Sequence, residues 1–256
     1  MKPRLLLLSV CLLGLACRQQ TPPPSKKDSA DKAPASRPDR HAATYSASPA
    51  AYRWIEDFEP ADILANRISP PDGFQRQQTA EASFAHWLRR LPLKKGQPRV
   101  HLFDGRVKGN QSAHVAVIDI DVGPRDLQQC ADAAIRLRAE YLYANGMANR
   151  IAFNFTSGDR ASFRQWSRGF RPAVQGNTVR WARSAPAESS YRTFREYLRT
   201  VFAYAGTLSL SKELPQVADA ADMRIGDVFV QGGSPGHAVI VVDMATHRQM
   251  GRRVFL

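Results

Sequence analysis

Cysteine is scarce in this chain. It occurs three times in 256 residues, at Cys11 and Cys17 near the start and Cys130 in the middle. With Cys11 and Cys17 assigned to a leader and its processing site, no partner is left for Cys130. An intramolecular disulfide is therefore excluded for the domain that follows, as is any Cys-rich zinc spacing. The chain also lacks a phosphate loop, a dinucleotide fingerprint and an internal repeat, so no cofactor or metal is expected. Acidic residues are few: 23 against 36 Lys and Arg, a formal charge of +13. The longest apolar run, Leu5 to Leu15, falls short of the roughly 20 residues that span a bilayer.

That run still carries information. Lys2 and Arg4 precede it, and small Ala16 stands before Cys17, the layout of a secretory signal. A cysteine directly after such a run resembles a lipobox, in which residues 1–16 are removed and Cys17 carries lipid. Gly14 departs from the usual leucine, and Arg18 gives no inner-membrane retention signal. Ordinary secretion with an incidental Cys17 is the alternative. Residues 17–50 are rich in Pro, Ala, Ser and charge, too poor in apolar surface to offset ordering entropy, and read as a disordered tether. Residues 51–256 are long enough for one domain with a real core. Without Lys2 and Arg4 the formal charge is still +11, which suggests anionic neighbours such as membrane surface, peptidoglycan or another envelope polymer. Solubility alone would explain it too, because the arginines are scattered. The export signal argues against nucleic acid.

Cys130 is the thiol left to explain. Leu127, Cys130, Ala134, Leu137 and Tyr141 recur at spacings of three and four, the mark of one apolar helix face. Asp126 and Gln129 have the spacing of a capping box. If Asp126 caps the helix, Cys130 lies in its first turn, where amides and dipole favour a thiolate. If Pro124 is the first helical residue, Cys130 lies a turn deeper and the activation weakens. Without activation it is a buried structural cysteine.

Further on, RIGDVFVQ, GGSPG and HAVIVVDMA read as strand, glycine-rich turn and strand, an antiparallel hairpin. His237 opens the second strand. A cysteine at a helix start and a histidine on a later strand resemble papain-like hydrolases, here locally the NlpC-type and CHAP-type cell-wall enzymes. That resemblance implies Cys130 as nucleophile and His237 as base. The Cys130 amide, with Gln128 or Gln129 as side-chain candidates, would supply the oxyanion donor. Asp243 lies too far along the same strand to orient the imidazole, about 20 Å at the usual rise. The final RRVFL reads as a strand without a turn or cap, as in a chain that continues past Leu256 and carries its third catalytic member there.

Over a longer span, SFAHWLRRLPLK, DGRVKGNQ, DVGPRDLQQCADAAIRLRAEYL, FNFTSG, YAGTLSL and GDVFVQGGSPGHAVIVVD resemble the domain-of-unknown-function 4846 family of bacterial proteins, many of them lipoproteins. The family brings no established activity. Its members typically run on past the equivalent of Leu256.

Other polar positions have plainer readings. His114, Asp119 and Asp121 do not share one strand face, which makes strand-edge and turn roles better than metal ligation. Arg136, Arg138 and Glu140 are expected on a solvated or salt-bridged helix surface, and His86 and His101 in packing. Trp166, Trp181, Tyr191 and Tyr197 suit a core better than a carbohydrate groove. Helices are expected near 83–91, 127–144, 160–168 and 190–204, with strands near 98–104, 113–121, 150–156, 227–231 and 237–244. The blocks imply an α+β fold, mainly antiparallel sheet packed on the cysteine-bearing helix with a papain-like core. Two functions follow: an envelope cysteine amidase or endopeptidase, or a non-catalytic envelope lipoprotein that binds a wall polymer or partner protein.

Overall fold

The computed structural model describes residues 47–256. The leader, the lipidation site Cys17 and most of the tether lie outside the described residues. Within them are six α-helices: α1 Leu64–Arg67, α2 Phe84–Arg89, α3 Cys130–Ala144, α4 Phe163–Ser167, α5 Tyr191–Tyr204 and α6 Thr207–Glu213. The strands are β1 Phe74–Arg76, β2 Ala152–Asn154, β3 Arg160–Ser162, β4 Phe170–Gln175, β5 Thr178–Arg183, β6 Val228–Gln231, β7 His237–Ile240, β8 Met244–His247 and β9 Arg253–Phe255. All pairings are antiparallel. β1, β8 and β9 form one sheet with β8 central, and β2–β3, β4–β5 and β6–β7 are separate hairpins. The architecture is α+β, with four small sheets where one larger sheet was expected. Among the described residues no helix is long and apolar enough to cross a membrane.

Local chemistry starts three of the helices. Ser83, Ser162 and Ser190 each accept a hydrogen bond from the backbone N–H three residues on, at 3.1, 3.2 and 3.3 Å, which satisfies one of the helix's orphan donors. α5 then buries Phe194, Tyr197, Leu198, Val201 and Phe202, a single stripe at helical spacing. α3 differs. It begins at Cys130 with Gln129 as N-cap, neither at Asp126 nor at Pro124. The Asp132 carboxylate accepts the Gln129 N–H at 3.1 Å, so the box closes one turn later than Asp126 would have closed it.

α3 is also buried over most of its circumference. Ala134, Leu137 and Tyr141 are covered as the periodicity predicts, but so are Ile135, Ala139 and Leu142 on other faces. Arg136 and Glu140, expected at a solvated surface, are buried too, at 0% and 1% exposed. The helix runs through the core with β7 on one side and α2 on another. A single apolar stripe could not reveal this, because the remaining faces are covered by elements distant in sequence.

Two expected strands do not form. Residues 98–104 contribute an isolated bridge between His101 and Val107, and 113–121 one between Ile118 and Leu93. Both segments alternate, but no neighbouring strand offers them a ladder. Gln111 stands in for one by bonding both the N–H and the carbonyl of Val100, at 2.9 and 3.0 Å. Hairpin β4–β5, which the pattern did not announce, turns through Gly176 and Asn177, with Val174 opposite Val179. RRVFL does form a strand, β9, paired with β8.

The β6–β7 hairpin forms as expected, with Gln231 opposite His237 and Val228 opposite Ile240, but the strand expected to 244 stops at Ile240, and Met244 opens β8 in another sheet. Its glycines serve packing. A methyl group on Gly236 would stand 2.2 Å from Thr207 Oγ1, and one on Gly232 would stand 2.3 Å from Ser211 Oγ. The tip of the hairpin therefore rests directly on α6.

Candidate functional site

β7 presents two faces in alternation. Ala238 is 3% exposed, within the same apolar core as Ala131 and Ile135 of α3. His237 and Val239 are exposed. A strand sends successive side chains to opposite sides, so His237 belongs to the outer face, and Ala238 to the face that packs on α3. Cys130 is half-buried at the first position of α3 and packs against the core. Among the described residues no hydrogen bond joins its sulfur to His237 or to any other group.

The other members of the expected site are engaged elsewhere. Gln128 Oε1 accepts from Arg136 Nη1 at 2.8 Å. Gln129 is exposed, and its side-chain amide donates to Asp126 at 3.4 Å. Asp243 is buried and accepts from Arg76 Nε at 2.6 Å and Arg89 Nε at 2.7 Å, while its Oδ1 also accepts the Met244 N–H. It ties β8 to β1 and α2.

The sequence match covers the same region. A family model described as a domain of unknown function (4846) matches residues 64–256. The chain belongs to that family. No curated protein and no solved structure matches it.

Two features of this 4846 domain were not anticipated. The first is an ionic cluster behind α3 that runs from buried Arg136 and Glu140 out to exposed Asp121. Arg136 donates to the Asp121 carbonyl, to Asp121 Oδ1 at 2.8 Å and to Glu140 Oε1 at 3.3 Å. Arg195 grips the same Asp121 carboxylate through both oxygens, at 2.8 and 2.7 Å, a bidentate geometry that only a planar guanidinium provides. Burial resists ionisation of Asp121, but the hydrogen bonds from Arg195 and Arg136 outweigh it and hold its pKa well below the usual carboxylate range. Glu140 goes the other way: burial pushes its pKa up, against the opposing pull of Arg136 and Tyr191. Asp132 is a third case, its pKa pushed up to about 6 by burial. Its Oδ1 has no hydrogen-bond partner.

The second feature is a cleft of ≈ 460 Å³ between α3 and the β6–β7 hairpin, a size within the roughly 300–1,000 Å³ of small-molecule sites. Its floor includes Ile135, Leu142, Phe153, Val228 and Ile240. Gly226 forms part of the wall at φ +101, where a methyl group would come within 3.0 Å of Phe84. Arg138, Arg150 and Arg224 stand around it, with Glu213 and Asp227 as the carboxylates. One signal for this was legible. Ala134, Arg138 and Leu142 repeat every four residues, which sets an arginine in the middle of an apolar stripe.

The remaining candidates have structural roles. His114 Nε2 lies 3.2 Å from the Pro98 carbonyl, and among the described residues no group of His, Cys, Asp and Glu could hold a metal ion. Trp166 and Tyr197 are buried, Tyr191 donates to Glu140 at 2.9 Å, and Trp181 stacks on Phe155 at 6.2 Å. His86 is half-buried, but His101, expected in packing, is exposed.

Proposed function

We propose that the protein is an envelope lipoprotein, anchored through Cys17, whose globular domain binds a ligand in the cleft between α3 and the β6–β7 hairpin and does not cleave it. The observation that carries this reading is the alternation along β7. A general base must lie within hydrogen-bond reach of the proton it takes, and His237 shares a face with exposed Val239, opposite buried Ala238. The cleft supports it further, because apolar floor and polar rim meet there at ligand scale. The basic balance of the chain suits an anionic envelope.

Thiol reactivity tests this. Iodoacetamide should modify Cys130 slowly at neutral pH, and His237→Ala should leave the rate unchanged. Fast modification at neutral pH that His237→Ala abolishes would overturn the reading in favour of the hydrolase.

The second reading, a papain-like amidase or endopeptidase acting on peptidoglycan, keeps one observation in its favour. Cys130 is the first residue of α3, half-exposed, where helix-terminal amides favour a thiolate, and β7 packs on that same helix.

A further inference from the structure

The cations of the α3–hairpin cleft outnumber its carboxylates, three to two. Among the described residues, Arg138, Arg150 and Arg224 make no ion pair with any carboxylate. Of the two carboxylates that also line it, Glu213 Oε2 accepts the Asn154 N–H at 2.9 Å, and Asp227 Oδ2 accepts the Arg224 N–H at 2.7 Å. The Arg138 guanidinium lies 4.9 Å from the Phe84 ring centre and 5.5 Å from that of Tyr141. The cation thus lies against two aromatic rings, and among the described residues its N–H groups have no hydrogen-bond acceptor. Arg150 donates only weakly, to the Met147 sulfur at 3.5 Å. Burial lowers the Arg138 pKa and the charge on Arg150 adds to the lowering, against an opposing contribution from Tyr141. Arg138 and Arg150 therefore repel one another across a partly desolvated cleft.

We infer that this cleft takes a small amphipathic carboxylate, its anionic head held by Arg138 and Arg150 and its apolar body lying on Ile135, Phe153 and Val228. The inference rests on the binding reading above and names the ligand class for the same site. A hydrated inorganic anion would leave the apolar floor uncovered. A neutral apolar molecule would bury the arginine edges without acceptors, a costly state. A carboxylate on an apolar body satisfies both, and an arginine edge matches a carboxylate in geometry as well as charge.

The test titrates the full chain with 4-phenylbutyrate by calorimetry, and in parallel with 4-phenyl-1-butanol, acetate and inorganic phosphate. The expected result is 4-phenylbutyrate bound roughly tenfold or more tighter than any of the three, with an affinity that falls as salt rises. Arg150→Gln, at an exposed position, should weaken it roughly fivefold or more, and Arg138→Gln likewise. Arg180→Gln, on β5 and not among the residues that line the cleft, should not. Equal affinity for the alcohol would overturn the anion class and leave the binding reading standing. Equal affinity for acetate or phosphate would overturn the amphipathic requirement. Displacement of the probe by phosphatidylglycerol vesicles would assign the arginines to a membrane headgroup and overturn the small-molecule proposal. No binding by any probe would also overturn it, while the thiol reactivity of Cys130 would still decide between ligand binding and hydrolysis.

Discussion

Glu140 and Arg136 meet one turn apart inside α3, at 3.3 Å, with both side chains essentially sealed from solvent. The pair is completed from outside the helix by Asp121 and Tyr191. A buried pair of this kind adds little net stability by itself, but breaking it leaves an uncompensated charge in the core. Arg136→Ala should therefore cost about 3–5 kcal/mol in a denaturant titration. The double replacement Arg136→Met with Glu140→Leu should cost clearly less than Arg136→Ala. Arg138→Ala, two residues on and on roughly the opposite side of the helix, at the cleft, should cost less than either. Equal losses for Arg136→Ala and Arg138→Ala would contradict the burial described for α3.

Leu137 tests the apolar face of the same helix. It is 4% exposed, and Leu137→Ala should cost about 2–5 kcal/mol through lost transfer energy and a residual cavity. A loss below 1 kcal/mol on the same titration would mean that the site collapses or that the helix phase is different.

Asp132 should make stability fall as pH rises, the reverse of the usual carboxylate. Its folded pKa, about 6, lies above the ordinary 3.8, so the folded state holds the proton more tightly than the unfolded chain. The contribution is fully present below about pH 4 and is lost on passing through about pH 6, on the order of 2–3 kcal/mol. Asp132→Asn should accordingly raise the melting temperature at pH 8 and change it little at pH 4, since an amide oxygen can still accept the Gln129 N–H. An equal shift at both pH values would remove the titration from the account.

The hairpin tip offers a backbone test. Gly236→Ala places a methyl 2.2 Å from Thr207 Oγ1 and 2.4 Å from the Gly233 carbonyl, and should cost about 1–3 kcal/mol by overpacking. Gly109→Ala, where nothing lies within 4 Å, should be close to neutral. Thermal melts of the two variants decide it.

Anchoring is tested in cells. A fatty-acid analogue should label the wild type and not Cys17→Ser. Labelling of both to the same extent would leave Cys17 unmodified.

The sequence announces elements whose cause is local and misses those whose partners are remote. GGSPG between two Val-rich runs marks the β6–β7 hairpin because turn chemistry acts within five residues. The serine caps and the α5 stripe are equally local. β4–β5 carried its own turn signal, Gly176-Asn177, but Pro172 inside β4 argues against a strand. The proline is tolerated because a two-stranded sheet consists of edges alone. Strands were expected at 98–104 and 113–121 because alternation records a preference, while a ladder needs a neighbour that alternation does not supply. For the site, Cys130 and His237 each stand at the start of an element, as expected. Which way an imidazole points depends on strand parity relative to the core, and Ala238 reveals that parity only once α3 is seen against it.

The Arg76–Asp243 contact joins positions 167 apart in the chain, within the same sheet where β1 aligns with β8. Such a pairing closes a very large loop, and its entropy must be met before either strand gains a partner. On a chain made from its N-terminus, β1 waits unpaired, and Arg76 and Arg89 lack their shared carboxylate, until residue 243 has been added. β1 thus cannot take its place in the sheet until residues 244–247 have been made, long after its own synthesis.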